Sequence, residues 1–302
     1  MTDKELKDLV KSMETRELDD EARKNADGEF IRLSFGHTHY ELKGEGEAVV
    51  LVHGYATPYF IYDKLFAALI NAGYKVLRYD LYGRGLSDRP DADYTPEFFA
   101  TQLYELTSAV LDDARFSLVG TSMGGSICAC FAAKYPEKVR KLMFLAPAGM
   151  DNFRPPFYMK LCRTKGLGEF VFYKVAGKFL LTGCAKELIY SPHEKDDYIR
   201  LFAHASAYKG FLRSTLSSLR NTILKTQKCT VNYIKASESG LPILCIWGTN
   251  DRTMPYYQSA RFKEVCPNAK LITYEGSGHI FLYDEGERTA NDVINFLRQS
   301  NE

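Results

Sequence analysis

The sequence predicts an α/β fold: a doubly wound, mostly parallel sheet covered by helices, with an inserted helical cap. Short continuous apolar runs recur along the chain, as expected of strands buried on both faces of a parallel sheet. Stretches of helical periodicity separate these runs, and the alternation β-α-β-α is typical of doubly wound sheets. The alternation stops between residues 151 and 240, a stretch rich in Phe, Tyr and Lys without a buried-strand run, which predicts the insertion.

The N-terminal part precedes this alternation. Residues 3–25 predict one charged helix with an apolar face. Residues 29–35 and 40–43 alternate like the two strands of a hairpin. His37 and His39 lie between them, and two imidazoles at this spacing on a strand could face the same way. Because no acidic or Cys partner lies nearby, we interpret them as turn residues and predict no metal site.

The core alternation then follows in order. Buried strands are predicted at residues 48–52, 75–79, 116–119, 141–145, 242–247 and 270–274, and helices at 62–71, 96–111, 126–135, 256–265 and 287–299. The predicted organisation is an N-terminal helical extension (1–28), an α/β core (29–150 with 241–302) and a helical cap (151–240).

Composition excludes several classes of protein. The chain has 302 residues, of which 45% are hydrophobic and 25% charged, values typical of globular proteins. Its net charge of +1 gives no basic footprint for nucleic acid. No apolar run reaches the ~18 residues of a membrane-spanning helix, and the N-terminus lacks the apolar stretch of a secretory signal. The seven cysteines contain no CxxC pair, so we expect reduced thiols in a cytoplasmic protein.

A candidate nucleophile lies in the string Gly-Thr-Ser-Met-Gly-Gly, residues 120–125, between a buried strand and an apolar helix. A tight strand-turn-helix connection needs small residues, here Gly120 and Gly124, beside a serine held in a strained conformation. The N-terminal amides of the following helix also point toward a developing anion. Ser122 is therefore the predicted nucleophile.

A serine hydroxyl needs a base, and the base needs an orienting acid. His279 and Asp251 each follow a predicted parallel strand, where open α/β sheets place their sites. The chain order Ser, Asp, His is that of serine hydrolases with a strand-turn-helix nucleophile. The competitors are Asp80 and Asp284 as the acid, and the histidines of the hairpin and of the insertion as the base.

An oxyanion hole requires two backbone amides. One is expected from Met123, directly after the nucleophile, and the other from Tyr55 in the loop after the strand at 48–52. Gly54 allows this loop to bend. We interpret His53 as an orienting residue rather than a second base.

Taken together, these residues resemble the α/β-hydrolase superfamily over about residues 29–298. Four motifs match in order: His53-Gly54, the Asp-Leu-Tyr-Gly-Arg-Gly-Leu-Ser-Asp turn at 80–88, the nucleophile string at 120–125, and Asp251 with His279. The resemblance implies the α/β-hydrolase fold and, through the loop after His53-Gly54, a serine esterase or monoacylglycerol-lipase-like branch. Haloalkane dehalogenases and epoxide hydrolases of this fold have an aspartate nucleophile, whereas Ser122 stands here.

The expected function is hydrolysis of small-molecule carboxylic esters with an apolar acyl group, through an acyl-serine intermediate and without a metal or organic cofactor. A C–C bond hydrolase or perhydrolase with the same three residues, or a receptor that kept the pocket, are the alternatives. The aromatic residues of the insertion are expected partly to pack the cap and partly to line an acyl pocket. They are Phe153, Phe157, Tyr158, Phe170, Phe172, Tyr173, Phe179, Tyr208 and Phe211.

Overall fold

A single eight-stranded sheet organises the protein. The structure, a computed structural model, describes residues 1–111 and 115–299. The strands are β1 (Glu29–Leu33), β2 (Gly36–Lys43), β3 (Ala48–Val52), β4 (Lys75–Tyr79), β5 (Phe116–Thr121), β6 (Val139–Leu145), β7 (Ile243–Gly248) and β8 (Lys270–Tyr274). Their order in the sheet is β1-β2-β4-β3-β5-β6-β7-β8, and the β1–β2 and β2–β4 pairs are antiparallel while all other pairs are parallel. The predicted mostly parallel α/β fold is confirmed.

Helices alternate with the strands and cover the sheet. Those of the N-terminus and core are α1 (Asp3–Ser12), α2 (Asp20–Lys24), α3 (Asp63–Asn71), α4 (Pro96–Val110), α5 (Met123–Lys134), α11 (Gln258–Val265), α12 (Phe281–Asp284) and α13 (Gly286–Arg298). Those between β6 and β7 are α6 (Phe157–Leu161), α7 (Leu167–Gly183), α8 (Lys195–Ala205), α9 (Phe211–Ser218) and α10 (Thr226–Glu238). We call residues 151–240 the inserted segment.

Burial explains the apolar runs of the sequence. Every residue of β3, β5 and β7 is buried, because these central strands carry helices on both faces. Helices α4 and α10 pack against α5, and α3 packs against α12 and α13. Ten of the twelve residues of α5 are buried, which accounts for a helix that is apolar all round rather than amphipathic.

The prediction of one helix over residues 3–25 is wrong. Helix α1 ends at Ser12 and α2 begins at Asp20. The intervening backbone bonds to the inserted segment instead: the Glu14 amide donates to the Ser206 carbonyl at 3.1 Å, and the Arg16 amide to that of Ala207 at 2.9 Å. These long-range bonds replace the i→i−4 bonds that a continuous helix would need.

The histidines of the hairpin are strand residues rather than turn residues. Strand β2 begins at Gly36, so His37 pairs with Arg32 of β1 and His39 with Phe30. The prediction of a turn across residues 36–39 is therefore wrong, because the connection between β1 and β2 is shorter than expected. Within the described residues, no group of three or more His, Cys, Asp or Glu side chains is arranged to hold a metal.

Two further observations concern the cysteines and the length of the helices. All seven cysteines are free thiols, and six of them are buried. Across residues 1–111 and 115–299, no helix combines the length and the apolar character needed to cross a bilayer.

Candidate active site

The topology places a crevice between the ends of two central strands. Strand β3 pairs with β4 on one side and β5 on the other, and the chain passes from β3 to β4 before it returns to β5. The loops that follow β3 and β5 consequently leave the sheet in opposite directions, which is where open α/β sheets bind ligands. The loop from His53 to Ala56 and the candidate nucleophile Ser122 both lie at this point.

Ser122 occupies a strained turn between β5 and α5. Its φ of +52° lies in the left-handed region, which a serine adopts only when the surroundings enforce it. The turn is held by bonds from the Ser122 amide to the Leu145 carbonyl and from the Ala148 amide to the Ser122 carbonyl, both 2.9 Å. A Cβ on Gly124 would lie 2.0 Å from the Val52 carbonyl oxygen, so this glycine is required for α5 to approach β3.

Two backbone amides are predicted to form the oxyanion hole, and neither is used by another acceptor in the part of the chain that the structure describes. Within the described residues, neither the Tyr55 amide nor the Met123 amide donates a hydrogen bond. The Tyr55 loop lies against the serine, because a Cβ on Gly54 would be 3.7 Å from the Ser122 Oγ. The buried Arg84 guanidinium fixes the loop by donating from its Nε to the Tyr55 carbonyl at 2.9 Å.

His53 is fully buried and fixes the same loop. The Leu81 amide donates to its Nε2 at 2.9 Å, so the proton of the neutral ring lies on Nδ1, which donates to the Gly54 carbonyl at 3.0 Å. Burial is the main reason that the pKa of His53 falls to about 4. Both nitrogens of this neutral ring are thus bonded to backbone, which suits His53 to orient the loop rather than to act as a base.

Asp251 and His279 form a direct pair. Nδ1 of His279 is 2.8 Å from Oδ2 of Asp251, and both residues are 5% exposed. The other oxygen, Oδ1, accepts the Thr253 and Met254 amides at 2.9 and 2.6 Å, which fixes the carboxylate. Burial lowers the pKa of His279, but the Asp251 carboxylate raises it more, with the Glu187 charge in the same direction, so the net pKa lies above its ordinary value.

The structure therefore brings the predicted residues together as two groups. Ser122 lies with the Tyr55 loop, and Asp251 is bonded to His279. No described residue accepts from or donates to the Ser122 hydroxyl, nor to Nε2 of His279, so both atoms are free to engage a substrate or one another. Hydrogen bonds between nucleophile and base are commonly long in ligand-free enzymes.

The two alternative carboxylates, Asp80 and Asp284, are hydrogen-bonded to other groups. Asp80 pairs with His39 at 2.8 Å, and Leu86 donates its amide to the same carboxylate at 2.9 Å. Burial opposes ionisation of Asp80, but the His39 bond prevails and its net pKa is lowered. Asp284 accepts the amides of residues 189–191. The Asp80 turn at residues 80–88 is thus structural, and it supports His39 rather than His279.

Sequence reasoning missed Glu187, a buried carboxylate of the inserted segment. Its Oε2 accepts the His279 amide at 2.6 Å and the Arg252 amide at 3.2 Å, and its Oε1 accepts the Thr253 hydroxyl at 2.5 Å. Glu187 thereby ties together the loops that carry His279 and Asp251. A Cβ on Gly278 would be 2.8 Å from the Glu187 carbonyl oxygen, so the glycine before His279 permits the approach. The only local signal was that glycine.

Five of the nine aromatic residues expected to pack the cap or line a pocket are exposed instead. They are Phe157, Tyr158, Phe170, Tyr173 and Phe179, with 42 to 74% of each residue exposed. Phe172, Tyr208 and Phe211 are buried. A cavity of about 950 Å³ lies between residues 16–27, His39 with Asp80, and α8, and its lining includes none of Ser122, Asp251 and His279.

A strained serine beside two free amides, with a bonded Asp–His pair after later parallel strands, defines the α/β-hydrolase class. The family model described as serine aminopeptidase, S33 (Hydrolase_4) matches residues 45–286, and the chain belongs to this family. The predicted superfamily resemblance is thereby confirmed.

Individual relatives carry several activities. The chain is 26% identical to a cis-3-alkyl-4-alkyloxetan-2-one decarboxylase of Shewanella oneidensis, over 90% of this chain and 88% of the relative. It is 27% identical to a 2-hydroxy-6-oxononadienedioate/2-hydroxy-6-oxononatrienedioate hydrolase of Burkholderia vietnamiensis (86% and 91% covered). It is 26% identical to lipase 3 of a Moraxella species (83% and 77%).

Solved structures support the fold. A meta-cleavage product hydrolase from Pseudomonas fluorescens superimposes with a TM-score of 0.73 at 22% identity, covering 91% of this chain and 98% of that one. An esterase from Exiguobacterium antarcticum gives 0.72, also at 22% identity, covering 90% of this chain and all of its own.

Proposed function

We propose that the protein is a serine hydrolase that cleaves carboxylic esters with an apolar acyl group. The observation that carries the proposal is the His279–Asp251 pair, whose Nδ1–Oδ2 bond leaves Nε2 as a free base at the same edge of the sheet as Ser122. The free amides of Tyr55 and Met123 support it further, because acyl transfer needs two donors for the developing oxyanion.

In the proposed mechanism, Nε2 of His279 accepts the proton of Ser122 as Oγ attacks the ester carbonyl. The Tyr55 and Met123 amides stabilise the tetrahedral oxyanion. His279 then donates the proton to the leaving alcohol, which yields an acyl-Ser122 intermediate. A water molecule, deprotonated by His279, attacks that intermediate, and the acid is released as His279 returns the proton to Ser122 Oγ. Asp251 holds the histidine tautomer and stabilises the imidazolium.

The inserted segment, which we propose acts as a cap, supports the proposed substrate class. It contacts the core next to the catalytic loops, since the Thr57 and Tyr198 hydroxyls are 2.7 Å apart and Glu187 bonds to His279. Phe172 and Phe211 are buried within it and give it an apolar interior. The proposed acyl pocket lies between this segment and the core, where each methylene of the acyl chain contributes up to about 0.8 kcal/mol, or roughly fourfold in affinity.

Substitution of the proposed nucleophile and base tests the mechanism. Ser122→Ala and His279→Ala should each lower kcat for p-nitrophenyl esters by roughly 10⁴- to 10⁶-fold, because the members of a triad act as a unit. Ser239→Ala and His193→Ala are matched controls, since Ser239 lies at the end of α10 and the His193 side chain is 77% exposed. Ordinary activity in folded Ser122→Ala protein would refute the assignment.

Covalent labelling gives an independent test. A fluorophosphonate should modify Ser122 alone, because only that serine is activated by a base. Mass spectrometry of the labelled protein identifies the site. An adduct on a different serine, or no adduct on active protein, contradicts the proposal.

A series of esters with graded acyl chains tests the substrate class. kcat/KM should rise with chain length until the pocket is filled, and charged acyl groups should be rejected. A preference for acetyl over every longer chain, or for charged acyl groups, would exclude an apolar acyl pocket.

Hydrolysis of a C–C bond is the second candidate, favoured by the 27% identical relative named for a 2-hydroxy-6-oxo-dienedioate hydrolase. It would use the same three residues. Comparison of kcat/KM for a 2-hydroxy-6-oxo-dienoate with that for the best ester decides between the two: a higher value for the dienoate would replace the esterase proposal.

A further inference from the structure

Six large apolar residues form an exposed surface on helices α6 and α7. We call it the exposed apolar face: Phe157, Tyr158, Leu167, Phe170, Val175 and Phe179, each between 42 and 74% exposed. The two helices adjoin here, because the Tyr158 and Phe179 rings are 5.8 Å apart. Single exposed apolar residues are ordinary, but six large ones on two adjoining helices indicate an interaction site.

One side of helix α7 faces the protein, and the side away from the protein is not purely polar. Four of its six buried residues, Gly168, Phe172, Ala176 and Leu180, recur every four residues and face the protein. Helix α1 covers another side, since a Cβ on Gly177 would be 3.2 Å from Val10. The remaining surface carries apolar side chains interleaved with lysines rather than the usual polar face.

The segment that carries this face is rich in positive charge without carboxylate partners. Between residues 152 and 186 the chain carries seven exposed cations, and none has a carboxylate partner among the residues that the structure describes. The cations are Arg154, Lys160, Arg163, Lys165, Lys174, Lys178 and Lys186.

Two carboxylates of this part of the chain are already paired with other cations. Asp151 is bonded to Arg261 at 2.8 and 3.1 Å, and Glu169 to Arg220 through both of its oxygens. Both negative charges are therefore already compensated by arginines outside the group of seven. Lys174 also lies 5.3 Å from the centroid of the Phe170 ring, so charge and aromatic surface are in direct contact.

We propose that helices α6 and α7 form a docking surface for an anionic lipid bilayer. Aromatic and aliphatic side chains interleaved with Lys and Arg on a helix surface suit the headgroup region, where apolar groups insert and cations meet lipid phosphates. A second copy of this chain is the weaker occupant, because a symmetric contact would place seven uncompensated cations against the same seven.

Vesicle flotation tests this proposal without reference to enzymatic activity. The purified chain should bind vesicles of phosphatidylcholine with about 30% phosphatidylglycerol far better than phosphatidylcholine alone, and less tightly at about 0.5 M NaCl. Lys174→Gln with Lys178→Gln should weaken binding roughly 25-fold, at about fivefold for each cation. Phe157→Ser with Phe170→Ser should weaken it at both salt concentrations, because the apolar contribution is not screened.

A matched control removes two cations elsewhere. Lys43→Gln with Lys270→Gln gives the same change in net charge at the end of β2 and the start of β8, the edge of the sheet opposite Ser122, and should leave vesicle binding within about twofold. Circular dichroism and melting curves establish that each variant is folded.

Three outcomes overturn the proposal. One is the absence of binding to anionic vesicles, and another is an equal loss in the control pair. The third is a dimer in analytical ultracentrifugation that Phe157→Ser with Phe170→Ser dissociates while vesicle binding is absent, which would assign the face to self-association.

Discussion

Removal of the Glu187 carboxylate tests how the inserted segment supports the loops that carry the proposed catalytic residues His279 and Asp251. Three donors converge on this 5% exposed side chain: the His279 and Arg252 amides and the Thr253 hydroxyl. Glu187→Ala leaves all three without an acceptor, at about 1–3 kcal/mol each before water enters. We expect a loss of roughly 3–5 kcal/mol in the free energy of unfolding. Glu187→Gln keeps one acceptor oxygen, and should lose about 1–3 kcal/mol.

The kinetic effect should be comparable to the structural one. A displacement of His279 by about 1 Å costs on the order of 10²-fold in rate, so we expect kcat/KM of Glu187→Gln to fall by roughly that factor. The Glu187 charge also raises the pKa of His279. A general base works in its neutral form, so activity rises as pH passes through that pKa. Loss of the charge lowers the pKa and moves the acid limb of kcat/KM to lower pH.

The assay compares pH profiles and urea unfolding of the wild type, Glu187→Gln and a control. Glu194→Gln is the matched control, because Glu194 also joins the inserted segment to the core, through Lys64 at 2.8 Å, without contacting the loops of His279 and Asp251. A folded Glu187→Gln protein whose acid limb stays in place or moves to higher pH would refute the electrostatic reasoning. Lower stability with unchanged kinetics would leave Glu187 as a structural anchor only.

Three further predictions follow from the site. Gly124→Ala should lower the free energy of unfolding by more than about 2 kcal/mol in urea, because its Cβ would lie 2.0 Å from the Val52 carbonyl oxygen. Gly240→Ala is the control: a Cβ there has no atom within 4 Å, so the loss of stability should be smaller despite the positive φ. Arg84→Lys should lower kcat at least tenfold with little change in KM, since a lysine cannot hold both the Tyr55 carbonyl and the Ser218 hydroxyl; a change in KM alone would contradict this role. For His53, the depressed pKa of about 4 means that the unfolded chain binds the proton first, so stability falls as pH drops from about 6.5 toward 4, by about 2 kcal/mol at pH ~5. His53→Gln should lack this part of the acid sensitivity in urea titrations, and an identical pH dependence in both proteins would exclude it.

The chain alone determined the parts of the site that depend on local pattern. Ser122, Asp251 and His279 follow β5, β7 and β8 within five residues, and apolar runs identify such strands without any knowledge of the chain's path. Strands β5 and β7 are wholly buried as predicted, whereas only Tyr274 is buried in the edge strand β8. The parallel arrangement then places the carboxyl ends at one edge, so the candidate residues are predicted to be neighbours. Glycines at 120 and 124 were recognisable because only a residue without a Cβ fits so close a crossing.

Only the tertiary structure decided the contacts that join distant segments. Glu187 is 92 residues from His279, and neither its burial nor its three donors leave a periodic trace in the sequence. Residues 14–16 leave the helical pattern because their amides bond to carbonyls near residue 206, which local propensity cannot register. Aromatic residues of the inserted segment have the same composition whether they point into a pocket or into solvent. Which of them are exposed depends on how α6, α7 and α1 pack, a long-range property of the fold.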